Sequence, residues 1–227
     1  MRPPGDSAQL AVRTAVLTLG TGAVDVAAFT RLGGAFASVM TGNLVLLGMS
    51  ATQASSDLAV HTGVAVAGYI TGAAAGARVA GRAAAEEPAW PSSVTVVLLL
   101  ELVVLAGFTV GWELAGGRPE DAAQLALLGV AALAMGLQSS AMRRLPTGVS
   151  TTYLTGTLTG VVGALARREG LSAADRRSVA ILACLAGGAC VGGALVLFAP
   201  WALPVVPLTT LTFVIGWARY RSRQVSD

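Results

Sequence analysis

The chain has 227 residues, of which 54% are hydrophobic and only 12% charged, and its mean hydropathy is +0.70. Soluble domains carry about 25% charged residues, so this composition excludes an ordinary soluble domain and indicates an integral membrane protein. The net charge of +3 is the balance of fifteen arginines and twelve acidic residues, and the chain has no lysine. No contiguous basic stripe with interleaved aromatic residues is present, which argues against a nucleic-acid partner.

Six apolar runs are each long enough for a helix that crosses a bilayer, which needs about 20 residues. They are residues 12–30, about 57–77, 92–112, 122–142, 178–199 and 201–218. Two further apolar pieces, 35–50 and 148–166, are of marginal length and rich in hydroxyl groups. Residues 1–9 are polar and no cleavage site follows them, so the first run is predicted to act as an uncleaved signal anchor.

The two short pieces carry a repeated motif. Val39-Met40-Thr41-Gly42-Asn43-Leu44 is echoed by Tyr153-Leu154-Thr155-Gly156-Thr157-Leu158, 114 residues later, and the same offset places Gly22 on Gly136 and Gly34 on Gly148. The pattern predicts a single membrane domain over residues 1–227, built from two repeat halves at about 12–112 and 122–218. Internal repeats of this kind are typical of transporters.

Arginine positions predict the topology. With six spans and a cytoplasmic N-terminus, thirteen arginines lie inside and two outside; with eight spans the division is ten to five. The positive-inside rule therefore favours six. We expect an all-α membrane protein with two three-helix inverted repeats, each with a short re-entrant or broken-helix segment, and with both termini cytoplasmic. The alternative is eight spans in a parallel 4+4 repeat.

Thr-Gly segments inside apolar surroundings are candidate binding sites, because irregular backbone at membrane depth survives only inside protein or beside water. We predict a midplane site for a small polar or anionic solute, in which a Thr or Asn caps a half-helix and the helix amides face the ligand. The alternative is that these residues only allow tight helix packing. The predicted substrate-binding residues are Thr41, Gly42, Asn43, Thr155, Gly156 and Thr157.

Two carboxylic acids, Asp25 and Glu101, fall midway along predicted spans. Charged groups at that depth are costly and usually face a cavity or a partner, so both are candidates for proton or ion coupling. The alternative is a structural acid that is hydrogen-bonded to Asn43 or to a hydroxyl group. Gln138 and Ser139 occupy the matched turn of the fourth span and are predicted to line the same cavity as Asp25.

Other features indicate packing rather than chemistry. No nucleophile–base pair, phosphate loop or metal-ligand cluster is present, so we predict no enzymatic activity, no cofactor and no metal. Paired GxxxG spacings allow close helix approach and a homo-oligomer; they are Gly68, Gly72 and Gly76 in the first half and Gly188 and Gly192 in the second. His61 and four tryptophans are predicted at the membrane interface, and membrane lipids are predicted partners.

The run Gly22-Ala23-Val24-Asp25-Val26, followed by 33–36, Met40-Thr41-Gly42-Asn43 and Leu47-Gly48, resembles the signature of the YoaK-like family. These are small bacterial multipass membrane proteins grouped as a domain of unknown function and often labelled permeases. The resemblance implies a protein of the bacterial inner membrane and implies no substrate or catalytic residue. We therefore expect a small-solute transporter or permease, with a non-transporting scaffold or lipid-interacting protein as the alternative.

Overall fold

The computed structural model describes residues 4–81, 90–145, 154–166 and 172–224, and these residues form helices and connecting turns without strands. The six long helices are α1 (Pro4–Arg31), α3 (Ser56–Ala80), α4 (Ser92–Leu114), α5 (Asp121–Arg143), α7 (Ala173–Phe198) and α8 (Val205–Gln224). The two short ones are α2 (Met40–Thr52) and α6 (Leu154–Ala166). All six long helices are long and apolar enough to cross a membrane, so the described chain has six candidate membrane spans at the six predicted runs.

The helices end where the sequence supplies caps and breakers. The side chain of Ser55 accepts a hydrogen bond from the backbone of Leu58 and starts α3, and Ser172 forms a capping box with Asp175 at the start of α7. Gly81, with φ of 66°, ends α3 in the left-handed region that favours glycine. Such local signals explain why the helix ends follow the predicted runs closely.

Helices α1 and α5 form the centre of the bundle. The most apolar stretches of both are 72% buried, against 22–44% for the other four long helices. Helix α1 packs along α7 and also against α8, whereas α5 packs along α3 and also against α4. Each central helix therefore takes both of these flanking helices from the opposite half of the sequence, and the two halves interlock.

Glycines allow close helix packing at matched positions of the two halves. The Cα of Gly72 on α3 lies against the carbonyl of Leu133 on α5, and that of Gly188 on α7 lies against the carbonyl of Leu19 on α1. These GxxxG faces are thus occupied within the chain. A homo-oligomer stays a prediction, and its interface would be formed by other residues.

Alanine at position 188 is expected to lower the free energy of unfolding by about 1–3 kcal/mol, because the added Cβ would overlap the backbone of Leu19. Gly187 is the matched control, since a Cβ there meets nothing within 4 Å. Gly187→Ala is expected to be neutral or to stabilise by about 1 kcal/mol through helix propensity. Thermal unfolding in detergent compares the two variants, and equal losses would contradict the packing argument.

Side-chain contacts define the two ends of the bundle. At the first, called the Arg31 end, Gln124 of α5 donates from Nε2 to the carbonyl of Arg31 (2.9 Å), and its Oε1 lies 3.2 Å from Nε2 of His61 on α3. At the second, called the Arg143 end, the guanidinium of Arg13 lies over the rings of Trp90 and Trp217. The end of α1 and the starts of α3 and α5 therefore lie together at the Arg31 end.

Two side chains predicted at the membrane interface are buried in the protein near the ends of their helices. His61 is buried at the Arg31 end, where its ring packs on Gly33. Trp112 is also fully buried, and its Nε1 donates to the carbonyl of Pro200 at 2.8 Å. Both side chains connect elements at this end, because buried polar groups need hydrogen-bond partners and find them there.

Candidate functional site

Three helices meet in a buried polar group of residues at the centre of the bundle. Gln138 on α5 donates from Nε2 to Oε1 of Glu101 on α4 (2.8 Å), and its Oε1 accepts from the hydroxyl of Thr21 on α1 (2.7 Å). Glu101 is fully buried, and its Oε2 has no hydrogen-bond partner. We call Thr21, Gln138 and Glu101 the central cluster.

The central cluster carries no counter-charge. Its two hydrogen bonds join Gln138 to Glu101 and to Thr21, and neither bond involves a cation. A buried carboxylate without a cation is expensive, whereas a carboxylic acid that accepts one hydrogen bond is tolerated. Oε2 of Glu101 is therefore a position that can take up or release a proton.

Asp25 has a different environment. Its Oδ1 accepts from the backbone amide of Ser38 (2.8 Å), and its Oδ2 accepts from the hydroxyl of the same residue (2.5 Å). Ser38 lies immediately before α2, so Asp25 fastens the loop that leads from α1 into that helix. The geometry matches the structural alternative, an acid tied to a hydroxyl group, and Asp25 and Glu101 do not share a hydrogen bond.

Asn43 fastens the same loop from the other side. Its side chain accepts from the amide of Phe36 (2.8 Å) and donates to the carbonyl of Phe36 (2.7 Å), and it is fully buried. The predicted capping role was wrong for α2, because Val39 occupies the N-cap position and no side chain caps the helix. Thr41 is exposed, and Gly42 lies against Phe36 and Val39.

The second Thr-Gly segment begins α6. The backbone of Thr155, Gly156 and Thr157 is helical, and the side chains of the two threonines lie outside the described residues, as does Tyr153. In the described chain, α2 packs mainly against α3 and α6 packs mainly against α7, and the two short helices share no extensive contact. A single site formed by the two Thr-Gly segments stays a prediction.

Alanine at position 43 is expected to lower the free energy of unfolding by about 2–4 kcal/mol, because both backbone groups of Phe36 would lose a buried partner. Thr41→Ala is the control within the same turn, and its cost should stay below about 0.5 kcal/mol because Thr41 is exposed. Denaturant or thermal unfolding in detergent measures both. A large loss at Thr41 and none at Asn43 would contradict this assignment.

Two cavities flank the central helices at matched positions. The Asp25 cavity, of about 250 Å³, lies between α1, α7 and the loop before α2; the Arg143 cavity, of about 410 Å³, lies between α5 and α3. The first is lined by Asp25, Phe29, Thr30, Phe36, Leu185 and Ala189, among others. The second is lined by Tyr69, Ala73, Ser139, Ser140, Arg143 and Arg144, among others.

Two residues of the central cluster are next in sequence to residues that line the two cavities. Thr21 precedes Gly22, which lines the Asp25 cavity, and Gln138 precedes Ser139, which lines the Arg143 cavity. The structure thus places Ser139 on a cavity wall as predicted, but on a different cavity from Asp25. Gln138 joins Glu101 instead of the cavity wall.

Several functional candidates were missed by the sequence reasoning. Ser38 binds Asp25, and Thr21 binds Gln138, the partner of Glu101; each is one hydroxyl residue among many in the chain. Tyr69 faces the Arg143 cavity from α3. Its one signal was its place between two glycines of the GxxxG stripe, and that spacing indicates a face that contacts another helix.

Comparison with known proteins adds the family. A family model described as "Protein of unknown function (DUF1275)" matches residues 14–217. The chain belongs to this family. It is also 33% identical, over 148 residues, to the "UPF0700 transmembrane protein YoaK" of Bacillus subtilis (strain 168). The alignment covers 65% of this chain and 63% of that protein, and no solved structure matches significantly. The resemblance to the YoaK-like family is thereby confirmed.

The DUF1275 match and the helices agree on the class of protein. The relative's name describes a transmembrane protein, and this chain has six helices that can span a bilayer. The family description contains no activity, so any function must be argued from the central cluster and the cavities. The chain is a multipass membrane protein of the DUF1275 family.

Proposed function

We propose that this protein is a small-solute transporter of the bacterial inner membrane, in which the two cavities open alternately to opposite sides of the central cluster. The observation that carries the proposal is the buried bond between Gln138 and Glu101, in a bundle that has a cavity beside each of its two central helices at matched positions of the two halves. A polar barrier between two vestibules is what alternating access requires.

The proposed topology has six spans, two inverted three-helix repeats and cytoplasmic termini. The matched glycine contacts of α3 with α5 and of α7 with α1 support the repeat. Positive charge supports the orientation, since only Arg31 and Arg118 adjoin the Arg31 end in the described helices and loops. Arginines at the Arg143 end are Arg13, Arg78, Arg143, Arg144, Arg176, Arg177, Arg219 and Arg221.

The segment between α1 and α3 is proposed to be re-entrant. Its two ends lie together, because Gln124 contacts both Arg31 and His61. Ser38, in its middle, reaches Asp25, which is six residues or about 9 Å back along α1 from Arg31. A segment that enters from one end and returns to it adds no crossing, and this supports six spans over eight.

In the proposed cycle, Glu101 is the proton-responsive group and Gln138 is the group that senses it. The bond accepted by Glu101 changes strength with the protonation of the acid, because hydrogen bonds to charged acceptors are about twice as strong as neutral ones. Gln138 also binds Thr21, so the same change reaches α1. Relative movement of α1 and α5 would open one cavity while it closes the other.

Flux measurements test the proposal. The purified protein is reconstituted into liposomes, and the entry of small neutral and anionic solutes is followed by light scattering at several pH values. We expect at least one solute to enter faster than in empty liposomes, and Glu101→Gln to slow that solute at least tenfold. Flux equal to that of empty liposomes across the whole panel would contradict transport.

A non-transporting scaffold is the second candidate, and the loop before α2 favours it. Both oxygens of Asp25 and both polar groups of Asn43 are used to hold that loop, while Thr41 is exposed. The Thr-Gly segments then contribute to folding and to the lipid-facing surface rather than to a site. The flux panel separates the two candidates, since a scaffold predicts no solute entry.

A further inference from the structure

The Arg143 cavity has an unusual lining for a chain with so few charges. Arg143 and Arg144 lie on it at the end of α5, together with the hydroxyl groups of Ser139, Ser140 and Tyr69. No acidic residue of the described chain lies on its wall. The cavity therefore combines two guanidinium groups with three hydroxyl groups in about 410 Å³.

The matched Asp25 cavity provides an internal comparison. The offset of 114 residues places Ser139 where the first half has Asp25, Arg143 where it has Phe29, and Arg144 where it has Thr30. On the flanking helix, the offset that relates Gly72 to Gly188 places Tyr69 where α7 has Leu185. Compared with the Asp25 cavity, the Arg143 cavity lacks a carboxylate at one position, has a cation at two and has an added hydroxyl group at one.

Three of the four differences make the cavity more positive than the Asp25 cavity, and the fourth adds a hydroxyl group. A fold that needed only tight packing here would be satisfied by the apolar residues that line the matched cavity of the other half. Guanidinium groups bind carboxylate, phosphate and sulfate oxygens in a planar fork, so a positive cavity with two arginines suits an oxyanion.

We infer that the Arg143 cavity is a binding site for a small oxyanion, that is, a carboxylate, phosphate or sulfate group carried by a free solute or by a lipid headgroup. Its role as the substrate site rests on the proposed transport function, whereas the binding itself does not. Arg143 and Arg144 bind the anion, and Ser139 and Tyr69 orient it.

Equilibrium binding to the full-length protein in detergent tests the site, with inorganic phosphate and inorganic sulfate as the probes. Arg143→Gln and Arg144→Gln should each weaken binding at least tenfold. Arg177→Gln is the matched control, because Arg177 is a partly exposed arginine near the start of α7 that does not line the cavity, and the affinity of this variant should stay within twofold of the original protein. Arg143→Lys keeps the charge without the fork and should give an intermediate loss.

Native mass spectrometry distinguishes a lipid source from a free anion. The protein is taken from nanodiscs of phosphatidylcholine alone or with phosphatidylglycerol. Retained phosphatidylglycerol that is lost in Arg143→Gln but kept in Arg177→Gln assigns the site to a headgroup, and phosphate or sulfate binding with the same pattern assigns it to a free anion. The inference is overturned if neither anions nor the lipid bind, or if Arg143→Gln and Arg177→Gln behave alike.

Thermal unfolding of each variant controls for loss of fold. If the arginines only stabilise the end of α5, Arg143→Gln lowers the midpoint without weakening anion binding, and the inference fails. Comparison with the liposome flux panel separates the two claims. Anion binding without any flux would support the binding site and contradict transport. Flux that is unchanged in a variant without anion binding would contradict the substrate site and remain consistent with transport.

Discussion

Replacing Gln138 by leucine is expected to lower the free energy of unfolding by about 3–5 kcal/mol and to stop solute flux. Gln138 provides the hydrogen bond that Glu101 accepts, and the other carboxyl oxygen of Glu101 has none. Removing one partner from a buried acid leaves the acid uncompensated, which is among the costliest single changes. Thermal unfolding in detergent and the liposome flux assay measure the two effects.

The double variant Glu101→Leu with Gln138→Leu separates stability from function. Replacing both partners by apolar residues removes the uncompensated acid, and the stability should return to within about 1 kcal/mol of the original protein. Flux should stay absent, because the proton-responsive group is gone. A double variant that is stable and still transports solute would show that the central cluster is only structural.

Replacing Asp25 by alanine is expected to lower the free energy of unfolding by about 3 kcal/mol, because the backbone amide and the hydroxyl of Ser38 both lose a buried acceptor. Asp25→Asn keeps the shape and one acceptor, and its cost should be about 1 kcal/mol. The anchor role also predicts that Asp25→Asn retains flux and its pH dependence. Loss of the pH dependence in this variant would restore the coupling role that its position in the span suggested.

Ser38→Ala is the control for the anchor. It removes the hydroxyl donor and keeps the backbone donor, so it should cost about half as much as Asp25→Ala. In a double-mutant cycle the two changes should be non-additive by at least 1 kcal/mol, since both remove the same interaction. Additive effects would mean that Asp25 stabilises the protein through other contacts.

The helices were largely predictable from the sequence because hydrophobic length and capping are local properties. The predicted run 92–112 corresponds to α4 (Ser92–Leu114), and the predicted run 122–142 corresponds to α5 (Asp121–Arg143). The short piece 148–166 contains α6 (Leu154–Ala166), and its first residues, 148–153, lie outside the described part of the chain.

The partners of the buried polar residues were not predictable, because they depend on which helices become neighbours. Gln138 lies on the turn that matches Asp25, and the repeat therefore suggested that the two share a cavity. The central helices α1 and α5 instead exchange flanking helices between the halves, so Gln138 meets Glu101 on α4. A sequence repeat shows which positions of the two halves correspond. It does not show which residues are in contact, because contacts depend on how each helix is rotated and on which helix it packs against.

The two Thr-Gly segments illustrate the same limit. Their recurrence at matched positions correctly marked the two short helices, but recurrence also suggested that the segments meet. Helix α2 packs on α3 and helix α6 packs on α7, so each Thr-Gly segment has a different helix as its main neighbour. Asn43 shows why a motif residue need not belong to a binding site. Its buried side-chain amide binds the backbone of Phe36 and so supports the loop before α2.

Cysteine accessibility tests most directly the claim that the two cavities open to opposite sides of the membrane. Thr30, on the wall of the Asp25 cavity, and Ala77, on the wall of the Arg143 cavity, are each replaced by cysteine in a background that lacks Cys184 and Cys190. A membrane-impermeant maleimide should label Thr30→Cys in cells with an intact inner membrane and Ala77→Cys only after that membrane is permeabilised. Labelling of both positions from the same side would contradict alternating access through these cavities.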